Sequence, residues 1–215
     1  MRIKICGLFR DEDIDIVNEA RPDYTGFVFT KSSRQISPVK ARQLRSRLSD
    51  RITPVGVFLN SPVSQIIELY QNGTIAIAQL HGDEDDDYIF NLKKETGTRP
   101  IPVIKTVNHH LLSMNGEKGI SSTAQYILID SGAGSGQPFD WKQLNPEKMP
   151  MPWFLAGGIN IHNIKQAIEL NPFAVDVSSG AERDGIKNRE KIIELVNMCR
   201  SPGFAHNTDK RKRDE

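Results

Sequence analysis

Two groups able to exchange protons, the thiol of Cys6 and the carboxyl of Asp130, each close an apolar run in this 215-residue chain. Facing one another, they would suit proton transfer on a neutral metabolite, one taking a proton while the other gives one. The thiol must first ionise. Its free pKa of about 8.5 leaves only a few per cent as thiolate at neutral pH, so nearby donors or cations must favour the charged form. Gly157-Gly158 and Ser178-Ser179-Gly180 follow two later apolar runs and gather backbone N–H groups where a phosphate dianion could bind. Arg34, in Lys31-Ser32-Ser33-Arg34, could clamp a carboxylate bidentately. His81 could be a ligand or a hydrogen-bonding wall residue, and with no second His or carboxylate at metal spacing a metal is rejected. Each has a plainer reading: Cys6 as core, Asp130 as a loop cap, the glycines as turn residues, Arg34 as a solvated side chain.

The elements that must position these groups are legible as alternation. Apolar runs at residues 3–6, 24–29, 54–59, 75–80, 101–107, 126–130, 153–156 and 173–177 are each followed by a segment that could hold a helix, giving about eight βα units. Several runs are nearly continuous in Val, Ile, Leu and Phe, as parallel strands covered on both faces should be. Ser37-Pro38 and Ser61-Pro62 read as an N-cap followed by a first-turn proline, and Asn72-Gly73 as a helix stop. Asn160 is predicted to cap a helix with Ile161, Ile164 and Ile168 on one face. Asn188 precedes another with Ile192, Leu195, Val196 and Cys199 inward, so Cys199 reads as core. The weak connections are residues 109–119, a poor helix, and 140–144, barely a turn.

Eight such units in one domain favour a closed (β/α)8 TIM barrel over an open doubly wound sheet. Active sites of that fold lie where the strands' C-terminal ends meet the βα loops. If Ile3 and Ile5 face the helices, Lys4 and Cys6 face the axis; the same parity sends Gln79, His81, Leu128, Asp130, Asp176 and Ser178 inward. Cys6 and Asp130 should therefore converge, with the two glycine-bearing loops at the fold's recurrent phosphate site. Gly132, Gly134, Ser135 and Gly136 form a loop that could close over a ligand.

Composition narrows the classes. With 28 Lys+Arg against 27 Asp+Glu, the formal charge is +1, too small a field for nonspecific nucleic-acid or membrane-surface binding. The surplus sits in Lys210, Arg211, Lys212 and Arg213, so residues 201–215 read as a charged, flexible tail on a barrel spanning 1–200. No apolar run approaches the ~18 residues of a membrane span, and Met1-Arg2-Ile3-Lys4 lacks a signal-peptide core; a cytoplasmic location is expected. Cys6 and Cys199 have no zinc or disulfide spacing.

Seven blocks together resemble the phosphoribosylanthranilate isomerase family of tryptophan biosynthesis: Lys4-Ile5-Cys6-Gly7, Gly26-Phe27-Val28-Phe29, Gly56-Val57-Phe58, Gln79-Leu80-His81-Gly82, Gly134-Ser135-Gly136 with Phe139-Asp140-Trp141, Leu155-Ala156-Gly157-Gly158, and Asp176-Val177-Ser178-Ser179-Gly180. The resemblance spans roughly residues 2–197. It implies a cofactor-independent barrel that converts N-(5-phosphoribosyl)anthranilate to 1-(2-carboxyphenylamino)-1-deoxyribulose 5-phosphate, working as a monomer or homodimer. By motif, Cys6 would be the general base and Asp130 the general acid. Arg34 would hold the anthranilate carboxylate, and Gly136, Gly157, Gly158, Ser178, Ser179 and Gly180 the phosphate, with His81 and Asp176 lining the pocket. The chain departs from the family pattern at Ser32-Ser33-Arg34, where Ser-Pro-Arg is usual, at Ala133-Gly134-Ser135-Gly136, and at Asp184-Gly185, where Pro-Gly is frequent. A histidine-pathway isomerase, which uses paired aspartates, and a non-catalytic phosphosugar-binding protein are the alternatives.

Overall fold

The computed structural model describes residues 1–108, 123–130, 141 and 144–201. Eight parallel strands close into a barrel in chain order: β1 (Arg2–Cys6), β2 (Tyr24–Val28), β3 (Thr53–Phe58), β4 (Ile77–Leu80), β5 (Val103–Asn108), β6 (Tyr126–Asp130), β7 (Trp153–Leu155) and β8 (Ala174–Val177). Closure is made by β8 against β1, where Lys4 lies opposite Asp176. The described α-helices are α1 (Asp11–Ala20), α2 (Pro38–Arg47), α3 (Val63–Gln71), α4 (Asp86–Glu95), α5 (Ile164–Glu169) and α6 (Arg189–Arg200). After β8 the chain makes a short 3-10 turn, Ser179–Ala181, and then a two-stranded antiparallel hairpin of β9 (Glu182–Arg183) and β10 (Ile186–Lys187).

The expected caps hold at two helices. Ser37 accepts from the Lys40 amide ahead of Pro38, and Asn188 accepts from the Lys191 amide. Two others differ. Helix α3 begins at Val63 with Pro62 at the cap position, so Ser61 is not its cap; the Ser61 carbonyl instead accepts from the Tyr88 hydroxyl at 2.6 Å. Helix α5 begins at Ile164 rather than after Asn160, because Asn160 and Asn163 close a separate turn on one another: the Asn163 side chain accepts from the Asn160 amide at 2.8 Å. The expectations for 109–119, for the glycine loop at 132–136, for Phe139-Asp140 and for the tail beyond Ser201 fall outside the described residues, as does most of 140–144.

Two apolar layers follow from strand alternation. Outward residues such as Ile3, Ile5, Phe27, Ile127 and Val175 pack under the helices with Ile14, Leu44, Ile66, Leu92, Ile164 and Leu195. Inward residues Val55, Ile77, Ile104, Leu128, Phe154 and Ala174 fill the barrel's interior. The floor is aromatic: Phe154 meets Tyr24 and Tyr126 edge to face at centroid distances of 5.5 and 5.7 Å. The Arg2 guanidinium lies 4.4 Å from the Phe173 ring centroid, a cation–π contact. The interior is thus plugged at the strands' N-terminal end and opens at the other, where Cys6, Val28 and Val57 form a small separate cluster.

Candidate active site

At the strands' C-terminal ends a cavity of about 200 Å³ is lined by Cys6, Arg34, His81, Asp130, Asp176 and the loops carrying Gly157-Gly158 and Ser178-Ser179. Cys6 comes from β1 and Asp130 from β6, so the thiol and the carboxyl reach one space from different arcs of the wall. Gln79 and Leu128 complete the inward set that strand parity requires. A wider cleft of about 470 Å³, lined by Thr53, Pro54, Ile75 and Arg99, lies at the start of β3 and holds no cysteine.

Beneath Cys6 sits a buried ion pair. The Lys4 ammonium, fully buried, donates to both Asp176 carboxylate oxygens at 3.0 and 2.9 Å. Burial opposes the charge on Lys4, but Asp176, with Cys6 beside it, outweighs that and holds the ammonium above its ordinary pKa. Burial also pushes the Cys6 thiol above its ordinary value, reinforced by Asp176 and resisted by Lys4 and then Lys187. The ligand-free site therefore rests with Cys6 protonated, and two lysines are placed to stabilise its thiolate once formed.

His81 lies between Asp130 and β5. Its Nε2 is 3.5 Å from Asp130 Oδ2, while its Nδ1 is 3.4 Å from Gln79 Nε2 and 3.3 Å from Thr106 Oγ1. Burial lowers the His81 pKa, with Asp130 opposing, so the ring is neutral. The Gln79 side-chain amide and the Thr106 hydroxyl thus hold one ring nitrogen while the other faces Asp130. The loop that carries His81 is tied down by buried Glu84, which accepts from the Asn60 amide at 2.7 Å, the Gly82 amide at 2.9 Å and Lys105 at 3.1 Å.

The two phosphate-loop candidates touch. Gly157 and Gly158 both have positive φ, 89° and 70°, and the Gly158 carbonyl accepts from the side chains of Asn160 and Asn163 at 3.0 Å each. Gly180 does not line the cavity. It lies against the neighbouring loop, where a Cβ would stand 1.9 Å from the Ile159 carbonyl oxygen, so its contribution is to let the loops after β7 and β8 pack together. Gly136 falls outside the described residues. Arg34 reaches the cavity wall but is not the loose side chain its loop suggested: Nε and Nη2 each donate to Glu182, both at 2.6 Å. Glu182 and Lys187, along with Thr106, were not singled out from the sequence. The available signal was Asp184-Gly185, a hairpin-turn dipeptide that sets Glu182 opposite Lys187.

A closed parallel barrel with an acid, a thiol and glycine-bearing loops at its C-terminal mouth defines an enzyme of the (β/α)8 class. Residues 3–198 match the family model for N-(5'-phosphoribosyl)anthranilate isomerase. An isomerase of that name from Endomicrobium trichonymphae is 43% identical over 206 residues, covering 93% of this chain and 98% of its own. The crystal structure of the Thermotoga maritima enzyme superposes with a TM-score of 0.78 at 32% identity, covering 93% and 98% of the two chains. A phosphoribosylanthranilate isomerase crystallised with reduced 1-(o-carboxyphenylamino)-1-deoxyribulose 5-phosphate superposes with a TM-score of 0.74 at 32% identity, covering 92% and 97%. The chain belongs to the N-(5'-phosphoribosyl)anthranilate isomerase family.

Proposed function

We propose that this protein converts N-(5-phosphoribosyl)anthranilate to 1-(2-carboxyphenylamino)-1-deoxyribulose 5-phosphate, a step of tryptophan biosynthesis, with Cys6 as general base and Asp130 as general acid. The observation that carries the assignment is that these two side chains line one cavity whose rim holds Arg34 and the Gly157 and Ser178 loops. Asp130 protonates the ribose ring oxygen, and the nitrogen lone pair expels it, opening the furanose to a protonated Schiff base. Cys6, whose thiol proton is first released to solvent and whose thiolate Lys4 and Lys187 stabilise, then removes the C2 proton, and the C2–H electron pair forms the C1–C2 double bond of an enolamine, neutralising the nitrogen. Tautomerisation to the ketose completes the Amadori rearrangement.

The surrounding residues fit the charge flow. His81, neutral and with Nε2 toward Asp130, is suited to orienting the acid. The Lys4–Asp176 pair presents a cation beneath the developing thiolate, while Asp176, also on the cavity wall, is suited to binding a sugar hydroxyl. The loops at Gly157-Gly158 and Ser178-Ser179 would hold the phosphate, with Gly180 allowing them to meet, and Arg34 the anthranilate carboxylate. We further read residues 1–200 as a single barrel acting in the cytoplasm on this small phosphorylated substrate, without nucleic acid or membrane as a partner; among the described residues no helix is long and apolar enough to cross a membrane. The test is loss of anthranilate-type fluorescence when purified protein meets N-(5-phosphoribosyl)anthranilate, with complementation of a tryptophan auxotroph lacking this step. Turnover with growth is expected; neither would occur if the protein only bound phosphosugars.

A further inference from the structure

Arg34, assigned above to the substrate carboxylate, already holds a carboxylate of its own protein. Its Nε donates to Glu182 Oε1 and its Nη2 to Oε2, both at 2.6 Å. Such a bidentate pair uses the side-on edge of the guanidinium and fixes its plane. The end-on edge, Nη1 with the second Nη2 proton, is left over, and among the described residues Nη1 has no hydrogen-bond partner. Arg34 nonetheless lines the cavity, with 25% of its side chain exposed. Its stem is pinned from the other side by Gly7, where a Cβ would stand 2.4 Å from Arg34 Cδ.

A carboxylate so placed would by itself cancel the charge that Arg34 offers to a ligand. Lys187 restores it. Its ammonium, with no exposed side-chain surface, is 2.5 Å from Glu182 Oε1 and also donates to the Ser178 carbonyl at 3.1 Å. With Lys187 protonated, two cations on one buried carboxylate give the cluster a net charge of +1; burial lowers the Lys187 pKa and Glu182 opposes that, and the backbone carbonyl that anchors the lysine belongs to the candidate phosphate loop. Glu182 and Lys187 are directly paired across the hairpin β9–β10, with Asp184 and Gly185 both at positive φ in the turn between them. Outside that pairing the hairpin is mostly exposed.

We infer that Glu182 and Lys187 are positioning residues for Arg34. The carboxylate holds one edge of the guanidinium so that the other faces the ligand, and the lysine keeps the cluster cationic. On this account hairpin β9–β10 sets the preference for a substrate whose aromatic ring carries a carboxylate. The inference rests on the assignment of Arg34 to that group.

The test compares two stable ligands by calorimetry: reduced 1-(o-carboxyphenylamino)-1-deoxyribulose 5-phosphate and its counterpart lacking the ring carboxylate. Glu182→Gln should weaken binding of the carboxylated ligand by about tenfold or more, the scale of a charge-assisted hydrogen bond, while the other ligand changes by less than about twofold. With substrate, KM should rise and kcat hold within about threefold. Combining Glu182→Gln with Arg34→Ala should cost the carboxylated ligand no more than Arg34→Ala alone, since the two act through one contact. Equal weakening of both ligands, no weakening, or additive losses would overturn the inference by pointing to a merely structural hairpin. Glu182→Asp keeps the charge but shortens the reach to the guanidinium, and serves if Glu182→Gln does not fold: retention of the wild-type preference for the carboxylated ligand would equally overturn the inference, and a selective loss would support it. Should the wild type itself bind both ligands equally, the assignment of Arg34 to the carboxylate fails instead.

Discussion

Gly26 on β2 lies beside the proposed base, and replacing it with alanine perturbs the sulfur without touching any polar group. A Cβ at this position would stand 2.6 Å from Cys6 Sγ, 3.1 Å from Cys6 Cα and 3.3 Å from Cys6 Cβ. Ordinary contact begins near 3.4 Å, so the sulfur must retreat by about 0.8 Å, and because the backbone is also crowded the side chain cannot simply rotate clear. Misplacing a reacting atom by about 1 Å costs roughly a hundredfold in rate, whereas overpacking one methyl in a core costs about 1–3 kcal/mol of stability. Gly26→Ala should therefore remain folded, bind the reduced product analogue within about threefold of wild type, and lose roughly a hundredfold in kcat by the fluorescence assay. A folded variant with wild-type kcat would refute the reasoning, because the sulfur's position would then not matter to the chemistry.

Other outcomes follow from the charges around the site. Thiolate absorbance of the ligand-free protein should appear only above the ordinary thiol range, because burial raises Cys6; Cys199, pushed up to about 12 by burial, stays silent in that titration. Lys4→Met should shift the Cys6 signal still higher, and thiolate at neutral pH in the wild type would contradict the reading. The same substitution leaves Asp176 buried without its cation, which should cost about 3–5 kcal/mol by urea unfolding; a loss under about 1 kcal/mol would mean the pair is not what holds that carboxylate in place. For Glu182, burial opposes ionisation, but Arg34 and Lys187 outweigh it and hold the carboxyl below the usual range. Its contribution to stability is thus present above the unfolded value of about 4.3 and lost as pH falls through the lower folded one. The difference in melting temperature between wild type and Glu182→Gln should accordingly shrink on acidification, and a pH-independent difference would show that the charge is not what stabilises the cluster.

How far the sequence reached depended on the kind of information each feature carries. The eight strands follow from short apolar runs alternating with helical segments, and the inward set at Cys6, Gln79, His81, Asp130 and Asp176 from a period of two within those runs, a local property; the closed barrel brings those residues to one mouth. The cap of α5 was misread because Asn160 and Asn163 are both good capping residues three positions apart, and only their mutual hydrogen bond decides which begins the helix. For Gly180 the sequence carried no sign of its packing partner, because the Ile159 carbonyl that leaves no room for a Cβ lies on another unit. Glu182 escaped for a like reason. A Glu and a Lys around an Asp-Gly turn look like surface residues, and the arginine that pairs with the buried Glu182 lies 148 residues away along the chain.

The most direct measurement is single-turnover rearrangement of N-(5-phosphoribosyl)anthranilate by Cys6→Ala and by Asp130→Asn, alongside calorimetric binding of the reduced product analogue. Each variant should turn over about 10²–10⁴-fold more slowly than wild type while holding the analogue within about threefold, since each group acts on a proton in flight rather than on the bound sugar. Wild-type turnover in either variant would contradict the pairing of this thiol and this carboxyl as base and acid.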